Sequence, residues 1–166
     1  MEIKGETFYR SCRYGHGGFL AMRLAVVNLD RCIGCESCVL ACSRTWYHAF
    51  SYDLSRIQIR TAGGIEGRFV VAVCRACSDP PCARSCRTGA LTPRKGGGVI
   101  LKPELCDSCG LCQKSCIIQG AVRYDDSGKP LICKHCGICA KYCPHEVIKL
   151  EKIKEPEEVE VEPKEV

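Results

Sequence analysis

The chain has 166 residues, only 7% of them aromatic, and a formal charge of +5. That length allows one domain or two small ones and excludes a large hydrophobic core, so something besides apolar packing must hold the fold together. The outlier in composition is cysteine, with 17 residues.

In chain order, residues 1–22 read as an N-terminal arm ahead of a core at 23–150, and residues 151–166 as a mobile acidic tail. Phe19 to Val27 is apolar but broken by Arg23, and it predicts a strand, not a signal segment. A first cysteine run follows, Cys32, Cys35, Cys38 and Cys42. Ser43 to Asp53 holds Trp46, Tyr47, Phe50 and Tyr52, an aromatic stretch suited to shielding a site or meeting a partner. Arg56–Arg60 and Arg68–Val73 predict a β-hairpin. The second run is Cys74, Cys77, Cys82 and Cys86, with Pro80-Pro81 in its longer gap; Ser78-Asp79-Pro80 predicts a cap and a short helix around Cys82–Cys86. Gly96–Gly98 predicts a turn, and Val99–Lys102 a strand into the third run, Cys106, Cys109, Cys112 and Cys116. A second hairpin is expected from Ala121–Tyr124 and Pro130–Ile132 around Asp125–Gly128. The fourth run, Cys133, Cys136, Cys139 and Cys143, leads into a last strand at Val147–Leu150.

Runs one, three and four share the spacing C-x2-C-x2-C-x3-C, and run two is the same run with two residues added. A [4Fe–4S] cube needs a thiolate on each iron; three cysteines on a tight loop reach three irons, and the fourth serves the other cluster of a pair. Four runs therefore predict four [4Fe–4S] clusters in two pairs, with all sixteen run cysteines as iron ligands. Cys12 belongs to no run and reads as a non-ligand. Zinc ribbons use two separated C-x2-C knuckles, and dense C-x2-C runs meet disulfide geometry poorly. With four cysteines per run no iron is left open for substrate, and the C-x3-C-x2-C run of radical chemistry is absent. No acid–base pair, nucleophile constellation or phosphate loop stands out, so the chain is not expected to be an enzyme by itself.

Residues 151–166 carry seven acids and three lysines, leaving +9 on the first 150. Each oxidised cluster with its thiolates adds about −2, so the basic balance does not point to nucleic acid. Arg31, Arg44, Arg75, Arg84 and Arg87 lie close to run cysteines and suit offsetting cluster charge or docking an acidic partner. Arg87, next to Cys86, is expected to raise its cluster's potential. His135 and His145 flank run-four cysteines and read as surface residues or hydrogen-bond donors to sulfur. With no segment of transmembrane length and no twin-arginine signal, no direct membrane insertion is expected, and the expected compartment is the cytoplasm of an anaerobic or low-oxygen cell.

Residues 22–150 resemble the multi-cluster iron–sulfur subunits of molybdenum and tungsten oxidoreductases. CRACSDPPCARSCRTGAL carries the resemblance in run two, and DLSRIQIR with the compact run four (CKHCGICAKYC) is most similar to the small subunit of aldehyde ferredoxin oxidoreductase-type tungsten enzymes. The resemblance implies an α+β fold of two bacterial-ferredoxin-like 2[4Fe–4S] units, 23–73 plus 117–150 and 74–116, with short helices, β-hairpins and nested pairing of run one with four and two with three. It implies clusters on Cys32, Cys35, Cys38 and Cys143; on Cys133, Cys136, Cys139 and Cys42; on Cys74, Cys77, Cys82 and Cys116; and on Cys106, Cys109, Cys112 and Cys86. The spacing between runs equally allows sequential pairing. The implied role is electron relay between a large catalytic subunit, tungstopterin-containing, and a ferredoxin or flavoprotein carrier. A free polyferredoxin, or the iron–sulfur subunit of a dimethyl sulfoxide reductase-type, formate, hydrogenase or carbon monoxide dehydrogenase complex, is the alternative.

Overall fold

The computed structural model describes residues 22–63 and 67–153. The expectations for the N-terminal arm, for Cys12 and for the tail beyond residue 153 lie outside the described residues. Strand β1 (Met22–Val26) pairs antiparallel with β8 (Ile148–Lys152), Met22 opposite Lys152 and Val26 opposite Ile148. Leu24 and Ile148 turn inward from this pair, each 2% exposed. This pairing brings the two ends of the described chain together. β8 runs to Lys152, two residues beyond the expected strand and into the stretch expected to be mobile, because β1 supplies partners for its backbone groups.

The remaining strands form three local hairpins. β2 (Ile57–Thr61) pairs with β3 (Phe69–Val73), β4 (Leu91–Pro93) with β5 (Val99–Leu101), and β6 (Arg123–Tyr124) with β7 (Pro130–Leu131). The first and third are the two hairpins expected from the sequence. In the third, the Asp125 carboxylate accepts the N–H groups of Ser127 and Lys129, the short-range bonding that makes aspartate a turn residue. β4 has no counterpart among the expected strands: Leu91-Thr92-Pro93 is too short for an alternating pattern and pairs only because Gly96–Gly98 folds β5 back onto it.

Helix α1 (Ser37–Tyr47) packs on α4 (Ile138–Lys141), and α2 (Pro81–Arg84) on α3 (Leu111–Ser115). α2 starts one proline later than the cap reading places it. Pro80 is its N-cap, no side chain caps it, and Asp79 instead pairs with Arg84 at 3.2 Å.

Two apolar clusters follow the helix pairs. The larger joins Leu24, Val39, Ile57, Val71, Val73, Val147 and Ile148 with Cys38, Cys42, Cys133 and Cys139. The smaller joins Leu91, Val122 and Ile132 with Cys112. Val122 and Ile132 thus pack with Leu91 and Cys112, between run two and run four. The β6–β7 hairpin brings them there. From β2, the Arg60 guanidinium donates to the Gln119 carbonyl, and from β6, Arg123 donates to the Tyr52 carbonyl and the Asp53 carboxylate in the loop before β2, both at 2.8 Å.

Candidate metal centres

The sixteen run cysteines fall into four groups, each with three members from one run and one from another. Cys32, Cys35, Cys38 and Cys143 line one hollow of about 310 Å3, here site I. Cys42, Cys133 and Cys139 are buried together, and Cys136 lies within electrostatic range of Cys42 and Cys139; these four make site II. Cys74, Cys77, Cys82 and Cys116 line site III, about 430 Å3. Cys86, Cys106, Cys109 and Cys112 line site IV, about 310 Å3. Neighbouring sites lie within electrostatic range of one another in that order. Cys139 of site II interacts with Cys38 of site I, Cys133 with Cys74 of site III, and Cys82 of site III with Cys112 of site IV.

The loops that hold the first three cysteines of a run repeat one backbone device. Two residues after the first cysteine the chain turns left-handed, at Gly34 (φ +70°), Ala76 (+51°), Ser108 (+58°) and His135 (+55°). In runs one, three and four it does so again two residues later, at Glu36 (+57°), Gly110 (+78°) and Gly137 (+78°), and the helix starts at the next residue. Run two lacks this second turn, because its two added residues, with Pro80-Pro81, carry the chain into α2 instead. Left-handed turns aim consecutive N–H groups into a concavity that suits anions. The His135 N–H donates to Cys133 Sγ at 3.4 Å in this way. A side chain held left-handed costs about 1–3 kcal/mol, so Ala76, Ser108 and His135 show that the sulfur-facing geometry overrides local preference. At Gly34 the need is steric as well, since a Cβ there would strike the Phe69 ring.

The thiols themselves resist ionisation over most of the row. Burial pushes Cys38 and Cys139 up to about 12, helped by neighbouring cysteines, and Cys82 up to about 11. Burial lifts Cys133 well above the ordinary thiol range. Cys86 moves the other way: burial raises it, but the Leu91 N–H, the Thr88 hydroxyl and N–H, and the Ala90 N–H outweigh that and lower it. Thiolates in the buried sites need a cationic partner, and binding one would release protons.

The donor sets fit a polynuclear iron–sulfur group. Each site offers four thiols, the full complement of a [4Fe–4S] cube, arranged around a hollow. Among the described residues no three Cys, His, Asp or Glu side chains close tightly enough to hold a single metal ion, whereas a structural zinc draws its sulfurs to about 2.3 Å from one point.

The structure corrects the histidine reading in part. His135 is 5% exposed, and its Nδ1 accepts the Leu24 N–H at 3.1 Å, tying β1 to run four. Burial, with Arg94 nearby, lowers its pKa to about 4, so the ring is neutral and free to accept. The signal in the sequence is its place in Cys-x-His-Cys, the same left-handed position as Gly34 and Ser108.

Of the five arginines singled out, four are engaged locally. Arg31 pairs with Glu146 at 3.6 Å, Arg44 lies over the Phe50 ring and beside His48, Arg84 pairs with Asp79, and Arg87 pairs with Asp107 at 2.6 Å. Arg75 is exposed and lines site III. In the aromatic stretch, Trp46 packs on the larger core with Arg56 and Lys134 over its ring, at 4.7 and 4.2 Å, whereas Phe50 is 74% exposed. Sequence reading missed Tyr124, Thr88 and Asp107, which reach site IV from outside the cysteine runs or between their ligands.

The chain is similar to several curated proteins. It is 32% identical over 107 residues to a tetrathionate reductase subunit of Salmonella typhimurium, covering 61% of this chain and 43% of that protein. It is 34% identical over 105 residues to formate hydrogenlyase subunit 2 of Escherichia coli, covering 63% and 49%. It is 31% identical over 108 residues to one of the chains of the anaerobic dimethyl sulfoxide reductase of Haemophilus influenzae, covering 58% and 52%. The chain spans about half the length of these curated relatives. Each is named as one component of an oxidoreductase. No family model matches the chain. Among the described residues no helix is long and apolar enough to cross a membrane.

Proposed function

We propose that this chain is an electron-transfer subunit holding four [4Fe–4S] clusters, one at each of sites I to IV, and that it is not catalytic by itself. The observation that carries the reading is the grouping of all sixteen run cysteines into four sets of four, each drawn from two runs. Such clusters supply one-electron redox chemistry when bound. The chain's own residues supply the thiols, the left-handed loops that aim N–H groups at sulfur, and a continuous order of sites from I to IV. The ligand sets are the nested ones, Cys143 completing run one's site, Cys42 run four's, Cys116 run two's and Cys86 run three's.

The partner in this reading is a catalytic oxidoreductase subunit, and the far end of the row meets a soluble carrier such as ferredoxin or a flavoprotein. The finer reading is a tungstopterin aldehyde oxidoreductase partner in the cytoplasm, supported by DLSRIQIR and the compact run four. Similarity to subunits of tetrathionate reductase, formate hydrogenlyase and dimethyl sulfoxide reductase favours a second reading, a partner of one of those kinds.

Anaerobic purification with its partner tests both levels. About 16 iron and 16 sulfide per chain together with a large tungsten-containing chain is the expected result. Molybdenum in the large chain supports the second reading, the same iron with no partner supports a free polyferredoxin, and zinc in place of iron overturns the cluster reading.

A further inference from the structure

We propose that the Tyr124 hydroxyl donates a hydrogen bond to the Cys112 sulfur and thereby raises the reduction potential of site IV. The inference rests on the cluster reading of site IV. Tyr124 Oη lies 3.4 Å from Cys112 Sγ, within hydrogen-bond range for sulfur. A metal-bound thiolate has no proton to give, so the hydroxyl must be the donor.

The placement is built, not incidental. Tyr124 ends β6, and its ring packs against the smaller core beside Cys112. The backbone at Gly110 passes close by: a Cβ there would lie 3.7 Å from the hydroxyl. A second hydroxyl, of Thr88, lies 3.7 Å from Cys86 Sγ in the same site. None of the residues lining site I or site III carries a hydroxyl, and at site II the Ser55 hydroxyl is in hydrogen-bond contact with Cys42.

The consequence is directional. One electron added at site IV adds one negative charge beside Cys112, and Tyr124 keeps its proton, so no proton moves. A hydrogen bond to sulfur is stronger when the acceptor is more negative, and it therefore favours the reduced state. The hydrogen bond therefore shifts the site IV midpoint positive of where the same site would stand without the hydroxyl.

Tyr124→Phe tests this, because it removes the hydroxyl and leaves the ring. In dithionite titrations followed by electron paramagnetic resonance, one of four midpoints should move negative, changing its reduction equilibrium about tenfold, about 59 mV for one electron. The other three should stand still and iron content should match the wild type. Four unmoved midpoints with full iron overturn the role of Tyr124 while leaving the clusters in place; absence of iron from the wild type overturns the cluster reading itself. Should Tyr124→Phe shed iron, 3-fluorotyrosine at 124, a stronger donor of the same shape, should move that one midpoint positive, and no movement overturns the proposal.

Discussion

Sites I and IV stand at opposite ends of the row and are built on the same plan, yet only site IV has side-chain hydroxyls in its wall. Each takes three cysteines from a C-x2-C-x2-C run and a fourth from elsewhere, and each loop turns left-handed at corresponding positions. Site I is walled by Glu36 and His145 as well as by Ile33, Ile59, Val71, Val147 and Ile148, and Val147 N–H donates to Cys143 Sγ at 3.4 Å. Site IV is walled by Tyr124, Thr88, Asp107 and Ser108 as well as by apolar residues. Cysteine spacing decides that a site exists and what shape its loop takes. The energy of placing an electron there is decided by residues that the topology delivers from other elements, because hydrogen bonds and charge around sulfur set the potential.

The largest test of the shared plan is removal of the fourth ligand. Cys143→Ala should cost one site, about 4 of about 16 irons. A double variant, Cys38→Ala with Cys143→Ala, should lose no more, because both residues serve site I; Cys143→Ala with Cys112→Ala should lose about half of the iron. Additive loss in the first pair would break the nested assignment in favour of sequential pairing.

Next comes the packing in the two apolar clusters. Ile57 is 1% exposed and belongs to the larger core around sites I and II. Ile57→Ala should destabilise the loaded protein by about 2–5 kcal/mol, seen as an earlier bleaching of visible absorbance with denaturant. Ile132→Ala, in the smaller core, should fall at the low end of that range, and iron release should begin from sites III and IV.

A smaller effect distinguishes the loops. Gly34 and Gly110 both hold positive φ, so alanine is strained at either. Only at Gly34 does the new methyl also meet the Phe69 ring, while at Gly110 the nearest atom lies at ordinary contact distance. Gly34→Ala should therefore cost roughly 2 kcal/mol and Gly110→Ala roughly 1, on the scale of glycine replacements at incompatible φ, read as rates of iron release. Equal rates would mean that Phe69 yields freely.

Much of this architecture is legible in the sequence because cysteine spacing encodes a loop directly, and because RIQIR alternates and RFVVAV is a short apolar, β-branched run, as strands are. The β2–β3 and β6–β7 hairpins appear where those patterns put them. What is not legible depends on contacts across the chain. β4 pairs through a glycine turn and carries no alternation of its own. His135 looks like any polar residue between two cysteines until β1 closes over it and offers the Leu24 N–H. Tyr124 lies 12 residues from Cys112 in sequence and reaches it only through the hairpin fold-back. Motifs report on residues that act through neighbours in sequence; the walls of site IV act through neighbours in space.

Arg87 shows how an inference from sequence changes once such a neighbour appears. Beside Cys86 a lone cation should raise the potential of site IV. Its guanidinium instead meets Asp107 at 2.6 Å, and the other oxygen of Asp107 accepts the Cys109 N–H at 3.3 Å. The contact with Asp107 raises the Arg87 pKa, and the Asp107 carboxylate is held by the Arg87 guanidinium and the Cys109 N–H, so the two form an ion pair. The pair is then nearly neutral as seen from the cysteines, and the arginine's part is to cancel the carboxylate. Arg87→Ala should move the site IV midpoint negative, because it leaves Asp107 uncompensated. Asp107→Asn should move it positive, and the double variant should return close to wild type. All three shifts should be smaller than that of Tyr124→Phe and should shrink between about 0.1 and about 1 M salt, since exposed charges are screened over about 10 Å and about 3 Å respectively. If the double variant instead matched Arg87→Ala alone, the arginine would act on site IV directly, and the polarity of this end would owe less to hydroxyl donors than to a single exposed cation.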